Sequence, residues 1–558
     1  LSRLSSATGN GVARRRACAA AASTEYQPAA AVSYQSGGRL LIVGAEAGTL
    51  AAVAEQLNER DSLQCTVLVT EQTSAAGAES GTALIRSELT SLAGHLGQFR
   101  VQLESSAAMA ALTVATGKTE AQFDLVLDLS SPPILRSEIL PPGYYAPADA
   151  AALQQALREL PTLVGEFEKP RYFRYNASIC AHGRSGITAC TRCLDTCPTD
   201  AIISIGDSIE VDPKLCQGAG SCAAVCPTGA ISYAYPQLGD TLQRLRTLLK
   251  SYRQEGGAKA VLLLHDAQDG RRRLATLAQQ LPENVIPFEI EEVGSAGMDT
   301  WLAALSYGAS ALWLLVTPGV PVSVMTAIEA QVNIARAILE GMGYPAEVLQ
   351  ISGPDAGALS QLFGSRLPVF AADYAEFAAL DEKRTVIRLA VDHLYEQAPA
   401  PRALVSLPAG SPFGDVEVSA ERCTLCMACV SQCPANALSA GGEMPQLKFI
   451  EANCVQCGLC CRSCPEDAIA ASPRFLYDAA KRNRMRVLHE EEPFCCIHCG
   501  KAFATRSVID RITQKMKGHP MFSGDALARI SLCDDCRVKA IYGDEQAGHA
   551  GISSGENQ

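Results

Sequence analysis

The sequence predicts a mixed fold of α/β plus α+β type: two small α/β domains on parallel sheets, two compact cysteine modules, and a C-terminal segment held by paired cysteines. Three observations predict it. Apolar runs of strand length alternate with helical patterns in two separate stretches, 38–135 and 240–375. Cysteines spaced by two and three residues end in Cys-Pro at four places: Cys197-Pro198, Cys226-Pro227, Cys433-Pro434 and Cys464-Pro465. Two Cys-x2-Cys pairs stand near the C-terminus, Cys496/Cys499 and Cys533/Cys536.

Residues 1–37 read as a flexible tail, because the Ala-rich stretch after Arg14-Arg15-Arg16 is too short and small-sided for a secretion signal. In 38–135, strands are expected at 39–43, 65–70 and 123–129, with a helix over 48–59. Gly44-x3-Gly48 lacks the third glycine and the placed acidic residue of a dinucleotide fingerprint, so it reads as a plain strand-to-helix turn. A Pro-rich connector covers 136–175, and the first cysteine module 176–236.

The second α/β unit has strands expected at 259–264, 285–290, 310–316 and 346–351, and helices at 270–281, 298–307 and 323–341. His265-Asp266 follows its first strand without recognisable catalytic partners and reads as a loop pair. The uncharged run from Trp301 to Ile328 is broken by Gly308, Pro318, Gly319 and Pro321, which favours strand, turn and helix start over a membrane span. A helix over 376–397 and a Pro/Gly linker to 416 lead to the second cysteine module, 417–472. The tail with paired cysteines occupies 473–545, and 546–558 read as disordered.

With 558 residues, 19% charged and a net charge of −12, the chain has no basic surplus to meet nucleic-acid phosphates. Of its 23 cysteines, seven lie in 180–226, nine in 423–464 and five in 495–536, leaving Cys18 and Cys65 apart. Such clustering reads as metal ligation in a reducing, cytoplasmic setting, not as a secreted disulfide framework.

The second module is complete: Cys423-x2-Cys426-x2-Cys429-x3-Cys433-Pro434, then Cys454-x2-Cys457-x2-Cys460-x3-Cys464-Pro465. Three closely spaced thiolates wrap one 4Fe–4S cubane while the fourth reaches the partner cluster. The expected sets are Cys423, Cys426, Cys429 and Cys464 for one cluster, and Cys454, Cys457, Cys460 and Cys433 for the other. Paired zinc sites fit this crossed spacing poorly. Cys461 is surplus and reads as a buried free thiol.

The first module is defective. Cys190-x2-Cys193-x3-Cys197-Pro198 gives three positions, and Cys180 becomes the first ligand if 181–189 loop out around Gly183 and Gly186. In Cys216-x5-Cys222-x3-Cys226-Pro227, Ala219 stands where a second ligand belongs. Crossing gives Cys180, Cys190, Cys193 and Cys226 for a 4Fe–4S cluster, and only Cys216, Cys222 and Cys197 for the other site. The spacing leaves open a 3Fe–4S cluster, a labile 4Fe–4S cluster with a non-thiolate ligand, or an empty site. The two modules flank the second α/β unit and are expected to be separate wire segments. In the tail, Cys496, Cys499, Cys533 and Cys536 form two knuckles suited to a zinc ion, with Cys495 and His498 as alternate ligands. Unligated thiols and a further iron–sulfur cluster are the other readings. Phe503, Ile509, Ile512 and Met516 then form a helix face under the site.

The cysteine modules resemble the dicluster bacterial-type ferredoxin family. Cys180-Ala-His-Gly-Arg-Ser-Gly186 through Cys197-Pro198, Pro141-Pro-Gly-Tyr-Tyr-Ala-Pro147 and Cys533-Asp-Asp-Cys-Arg537 resemble proteobacterial polyferredoxins encoded beside molybdenum formate dehydrogenases. There the second run usually has all its cysteines, so Ala219 departs from the pattern. The stretch 291–352, with Ala304-Leu-Ser-Tyr-Gly-Ala309, is similar to the delta subunit of methyl-viologen-reducing hydrogenase, but Val316-Thr-Pro-Gly-Val-Pro321 lacks that domain's cysteines. The resemblance implies an electron-transfer protein without its own active site, partnered with a formate dehydrogenase-type molybdoenzyme. The alternative is an accessory or maturation factor with structural clusters.

Overall fold

A computed structural model describes residues 9–58, 62–70, 83–116, 121–353, 356–364, 373–378, 380–442 and 444–549. The first α/β unit is a five-stranded parallel sheet in the order Ala83–Arg86, Gln64–Val69, Arg39–Gly44, Leu125–Asp128, Tyr144–Tyr145. Its central strand is apolar on both faces, Leu40 to Val43 all being fully buried, as a sheet covered on both sides requires. Sequence periodicity missed the antiparallel sheet beside it, built from Leu89–Ala93, Phe99–Leu103 and Gln122–Phe123. Those strands are short and half-polar, with little signal to read.

The second unit is a four-stranded parallel sheet in the order Val285–Ile290, Val261–Asp266, Ala311–Leu315, Leu349–Ser352. Every residue of the helix Met298–Ser306 is buried. Lys383–Glu396 packs against it closely enough for Ser306 Oγ to reach the Ala390 carbonyl (3.2 Å). Among the described residues, one helix, Val322–Gly341, is long and apolar enough to cross a membrane by length and composition. Val324, Ile328, Val332, Ala335 and Ile338 place it instead in the core of this unit.

Four parts differ from expectation. The expected tail over 1–37 contains the helix Gly9–Ala22 and the strand Ala31–Ser36, while residues 1–8 lie outside the described residues. Ala13, Ala17 and Ala21 recur every fourth residue, so they form one small-residue face that packs closely on the helix Leu238–Gln254. Arg14 anchors that helix by donating to the carbonyls of Pro282 (2.7 Å) and Val285 (3.1 Å). The strand Ala31–Ser36 pairs antiparallel with Gly165–Pro170, inside the expected connector. That connector also carries the helix Ala150–Glu159, capped by Asp149 accepting from the Ala152 amide, with Ala156 and Leu157 in the core of the first unit. At the C-terminus, the helix Asp534–His549 runs into the stretch expected to be disordered, and residues 550–558 lie outside the described residues.

The fourth difference concerns the two cysteine modules, which abut each other. The stretch 181–189 does loop out, as a hairpin pairing Gly183–Arg184 with Ile187–Thr188, turned by Ser185 and Gly186 in the left-handed region. Its tip reaches the second module. Arg184 donates to the Cys433 carbonyl (3.4 Å), Gln432 Nε2 donates to Ser185 Oγ (3.0 Å), and Arg462 donates to the Thr188 carbonyl. Separation in sequence thus concealed contact in space, because the second α/β unit folds back beside both modules.

Candidate iron–sulfur and four-thiol sites

Each Cys-Pro turn has the same backbone signature. The third residue after its cysteine is left-handed at Asp200, Gly229, Asn436 and Asp467. In the loops starting at Cys423, Cys454 and Cys216, the second and fourth following residues are left-handed as well: Leu425 and Met427, Gln456 and Gly458, Gly218 and Gly220. Such residues tuck the chain so that its amide N–H groups turn inward toward one point, as cysteine-ligated clusters require. The Cys216 loop keeps this conformation although Ala219 replaces a cysteine.

In the second module one small cavity is lined by Cys423, Cys426, Cys429 and Cys464 with Leu425, Leu447 and Ile469. A second is lined by Cys433, Cys454, Cys457 and Cys460 with Val416, Leu438 and Phe449. These are the groupings that crossing of the fourth cysteines predicts. Burial first, then the neighbouring Cys423, Cys426 and Cys464, push the Cys429 thiol up to about 12. Burial likewise pushes Cys457 up to about 11, with Cys433, Cys454 and also Cys190 of the first module adding to it. The Ala437 amide donates to Cys433 Sγ (3.2 Å), the Ala468 amide to Cys464 Sγ (3.3 Å) and Gln456 Nε2 to Cys454 Sγ (3.3 Å). Cys461 is half-buried with its Sγ 4.0 Å from that of Cys460, outside both cavities.

The first module gathers its thiols in the same sense. Burial pushes Cys193 up to about 12, with Cys226, Cys190 and Cys180 adding to it. Cys216 and Cys222 are raised by burial and then by Cys197, and Cys222 also by Cys216 and by Cys193 of the neighbouring group. His182, almost fully buried, fixes the Cys190 loop with Nδ1 at 2.8 Å from the Cys190 carbonyl and Nε2 at 2.7 Å from Ser204 Oγ. Lys169 donates to the carbonyls of Lys214 (2.9 Å) and Cys216 (2.7 Å), setting a cation beside the three-thiol group. Thiols crowded in this way oppose one another's ionisation, and a cationic iron–sulfide core reverses that by neutralising the thiolates. The donor chemistry fits the clusters.

In the tail, the ligand atoms of Cys496, Cys499, Cys533 and Cys536 all lie within 4.8 Å of one another, with Cys499 and Cys533 Sγ atoms 3.6 Å apart. The hairpin Pro493–Cys495 with Ala502–Thr505 presents the first pair, and Gly500 is left-handed at the knuckle. Cys495 is exposed and stands aside from this group, while His498 Nδ1 lies 3.6 Å from Cys536 Sγ. Phe503 and Leu532 pack on the thiols and Ile509 is buried, but Ile512 faces solvent, so the expected helix face is narrower than the pattern implied.

His265 and Asp266 form the end of the strand Val261–Asp266, and the Asp266 carboxylate caps the next turn at the Gln268 (2.9 Å) and Gly270 (2.9 Å) amides. The sequence reading missed Lys169, His182 and the pair of half-buried Lys383 and buried Arg384. Only the last left a signal, as basic residues opening a helix against its dipole.

Comparison with known proteins agrees with this geometry. The 4Fe-4S dicluster domain family matches residues 422–468, and the 4Fe-4S binding domain family matches 209–232. Component A of hydrogenase-4 from Escherichia coli (strain K12) is 50% identical over 40 residues, 7% of this chain and 20% of that protein. A ferredoxin from Alicyclobacillus acidocaldarius is 46% identical over 39 residues, and a 7Fe ferredoxin from Hydrogenibacillus schlegelii is 44% identical over 39 residues; each match covers 7% of this chain and 50% of the relative. The chain thus spans between a fifth and a half of the length of these curated relatives. It carries ferredoxin-type 4Fe–4S binding domains at 209–232 and 422–468.

Proposed function

We propose that this chain relays single electrons along four adjoining cubane-type sites. In order they are Cys216/Cys222/Cys197, Cys180/Cys190/Cys193/Cys226, Cys454/Cys457/Cys460/Cys433 and Cys423/Cys426/Cys429/Cys464. The first is a 3Fe–4S site because an Ala219 methyl cannot ligate iron; the others are 4Fe–4S. The observation that carries the reading is the contact between modules, where Arg184 donates to the Cys433 carbonyl, Gln432 to Ser185 Oγ and Arg462 to the Thr188 carbonyl. Two dicluster units in contact make one path where two separated units would make two. When bound, the clusters supply one-electron oxidation and reduction. The chain's own residues hold the thiolates, direct amide N–H groups at sulfur and exclude water.

Zinc is assigned to Cys496, Cys499, Cys533 and Cys536, whose clustered thiols suit a closed tetrahedral site that staples a tail with little core of its own. The partner is a cytoplasmic formate dehydrogenase-type molybdoenzyme, on the resemblance of the Cys180–Cys197 and Cys533–Arg537 stretches to polyferredoxins encoded with such enzymes.

The test is iron, sulfide and zinc content of the anaerobically purified chain, followed by reduction with purified formate dehydrogenase and formate. About 15 irons and about one zinc are expected from the ligand sets, with reduction at turnover rates. Reduction by hydrogen and a hydrogenase, but not by formate, would move the partner. Ligand variants that abolish enzyme maturation while leaving turnover intact would replace the relay with the accessory role.

A further inference from the structure

The helix Lys383–Glu396 opens with two basic residues in its first turn, where the helix dipole disfavours positive charge. Arg384 reaches backbone of both cysteine modules, and Lys383 reaches the first. Arg384 is buried and its guanidinium donates four hydrogen bonds, all to backbone carbonyls: Pro227 (3.1 Å), Pro412 (3.0 Å), Ala452 (3.1 Å) and Cys454 (2.9 Å). Pro227 follows Cys226 of the first module, and Cys454 is the first cysteine of its set in the second. One planar fork therefore ties the backbone beside one inner site to the backbone beside the other. Lys383 donates to the Ala223 (2.9 Å) and Ala224 carbonyls, in the short helix that leads to Cys226.

A buried guanidinium needs opposite charge as well as hydrogen bonds, since carbonyl dipoles only partly replace its hydration. Among the described residues, neither Arg384 nor Lys383 makes an ion pair with a carboxylate. The charged groups acting on Arg384 are Arg388, Arg192 and Arg482, against which stands the Cys454 thiol. Asp299 and Cys226 favour the Lys383 ammonium, while Arg192 and Arg384 oppose it. Arg482 is itself ion-paired with Asp392 (2.7 Å), so Arg384 is the buried cation whose acidic neighbour is a cysteine, Cys454. A thiolate-ligated cubane is an anion, so a cluster on each side completes the charge balance.

We propose that Lys383 and Arg384 form a cationic bridge between the two inner clusters, raising both potentials and fixing the spacing at which one electron crosses from module to module. The inference rests on the cluster assignment proposed above. In the step itself the reduced cluster of one module loses one electron and the oxidised cluster of the other gains it, with no bond made or broken. Both residues are positioning residues, since they act through the backbone and through charge.

The test is a redox titration of the full chain, purified anaerobically and followed by electron paramagnetic resonance. In Arg384→Gln the ratio of reduced to oxidised inner clusters at a fixed solution potential should fall about tenfold, equivalent to ~59 mV for a one-electron couple. The outer Cys423/Cys426/Cys429/Cys464 cluster should stay put, and the spin–spin interaction between the inner pair should weaken. Arg384→Lys should recover most of the potential. An unchanged inner potential at unchanged iron content, or an equal shift at the outer cluster, would overturn the bridge. If Arg384→Gln loses iron, Lys383→Gln decides: it should shift the inner pair alone, and no shift refutes the proposal. A wild-type chain without acid-labile sulfide would refute the cluster assignment itself, a separate failure.

Discussion

Replacing Ala219 with cysteine tests the three-thiolate site at the position where the sequence departs from the ferredoxin pattern. The structure sets the expected size of the effect. Ala219 lies between Gly218 (φ +83°) and Gly220 (φ +78°), as Cys457 lies between Gln456 (φ +52°) and Gly458 (φ +82°). Cys426 sits between Leu425 and Met427 in the same conformations. The backbone of a ligand-bearing loop is therefore already in place, and the substitution adds one sulfur at a half-buried position. Its cost to the cluster-free chain should be at most about 1 kcal/mol, the low end for adding an atom to a packed site. The gain is a fourth thiolate, which should raise iron from about 15 to about 16 per chain by converting 3Fe–4S to 4Fe–4S. The assay is electron paramagnetic resonance of the oxidised protein, beside iron analysis. An oxidised 3Fe–4S centre has an odd electron count and gives a signal, whereas an oxidised 4Fe–4S centre is silent. Wild type should show the signal and Ala219→Cys should lose it. A wild-type chain with about 16 irons and no such signal would refute the reasoning, since a non-thiolate group would then fill the fourth position. A signal that survives the substitution at unchanged iron would refute it equally.

The remaining predictions concern the tail, one glycine and one carboxyl group. Cys533→Ser should release about one zinc, leave iron unchanged and expose 493–536 to protease, because Phe503 and Leu532 are the partly buried side chains packed on the thiols and metal ligation supplies most of the folding energy of such sites; a tail that stays resistant without zinc refutes this. Gly220→Ala would place a Cβ 2.5 Å from Ser295 Cα on a backbone with φ +78°, so it should lower Tm clearly more than Gly206→Ala, whose φ is +73° in open space and whose cost is about 1–2 kcal/mol; equal melting temperatures would show that the Ser295 contact has no weight. Burial pushes the Glu292 carboxyl up to about 7, with Asp266, Glu291 and Asp269 adding to it, so the folded chain holds a proton that the unfolded chain loses near 4.3. Its contribution to stability is full below that lower value and fades as pH rises through about 7, at roughly 1.4 kcal/mol per pH unit at most. Glu292→Gln should therefore stabilise the protein at pH ~8 and not at pH ~4 in chemical denaturation; a difference independent of pH would rule the effect out.

Much of the fold was written in local patterns. The four strands from Val261 to Ser352 are buried on both faces and read as unbroken apolar runs, which is why their positions were legible. The crossed thiol groupings were legible because ligand spacing is a local property. The helix Gly9–Ala22 was not, since alanines every fourth residue form a helix face only once the helix Leu238–Gln254 lies against them. The seam was not legible either. Arg184, Gln432 and Arg462 are ordinary surface residues in their own segments and become contacts only when 249, 247 and 274 residues of separation are folded away.

The unequal modules also differ in how their loops hold shape. In the complete module three of the four left-handed loop positions are Leu425, Met427 and Gln456, side chains that cost about 1–2 kcal/mol each in that conformation. Such strain persists where surrounding bonds over-determine the backbone, and four thiolates on the proposed cluster would do that. In the loop that lacks a thiolate the corresponding positions are Gly218 and Gly220, which adopt the conformation without that penalty. Their close packing says why they stay glycine: a Cβ on Gly218 would strike the Tyr172 ring at 2.7 Å, and one on Gly220 the Ser295 backbone at 2.5 Å. The Cys216 loop is thus held by glycine and by neighbouring protein, and in the proposed assignment the complete module's loops are held by their ligands. Ala219 therefore removes one thiolate from a loop whose backbone has the conformation of the complete module's loops.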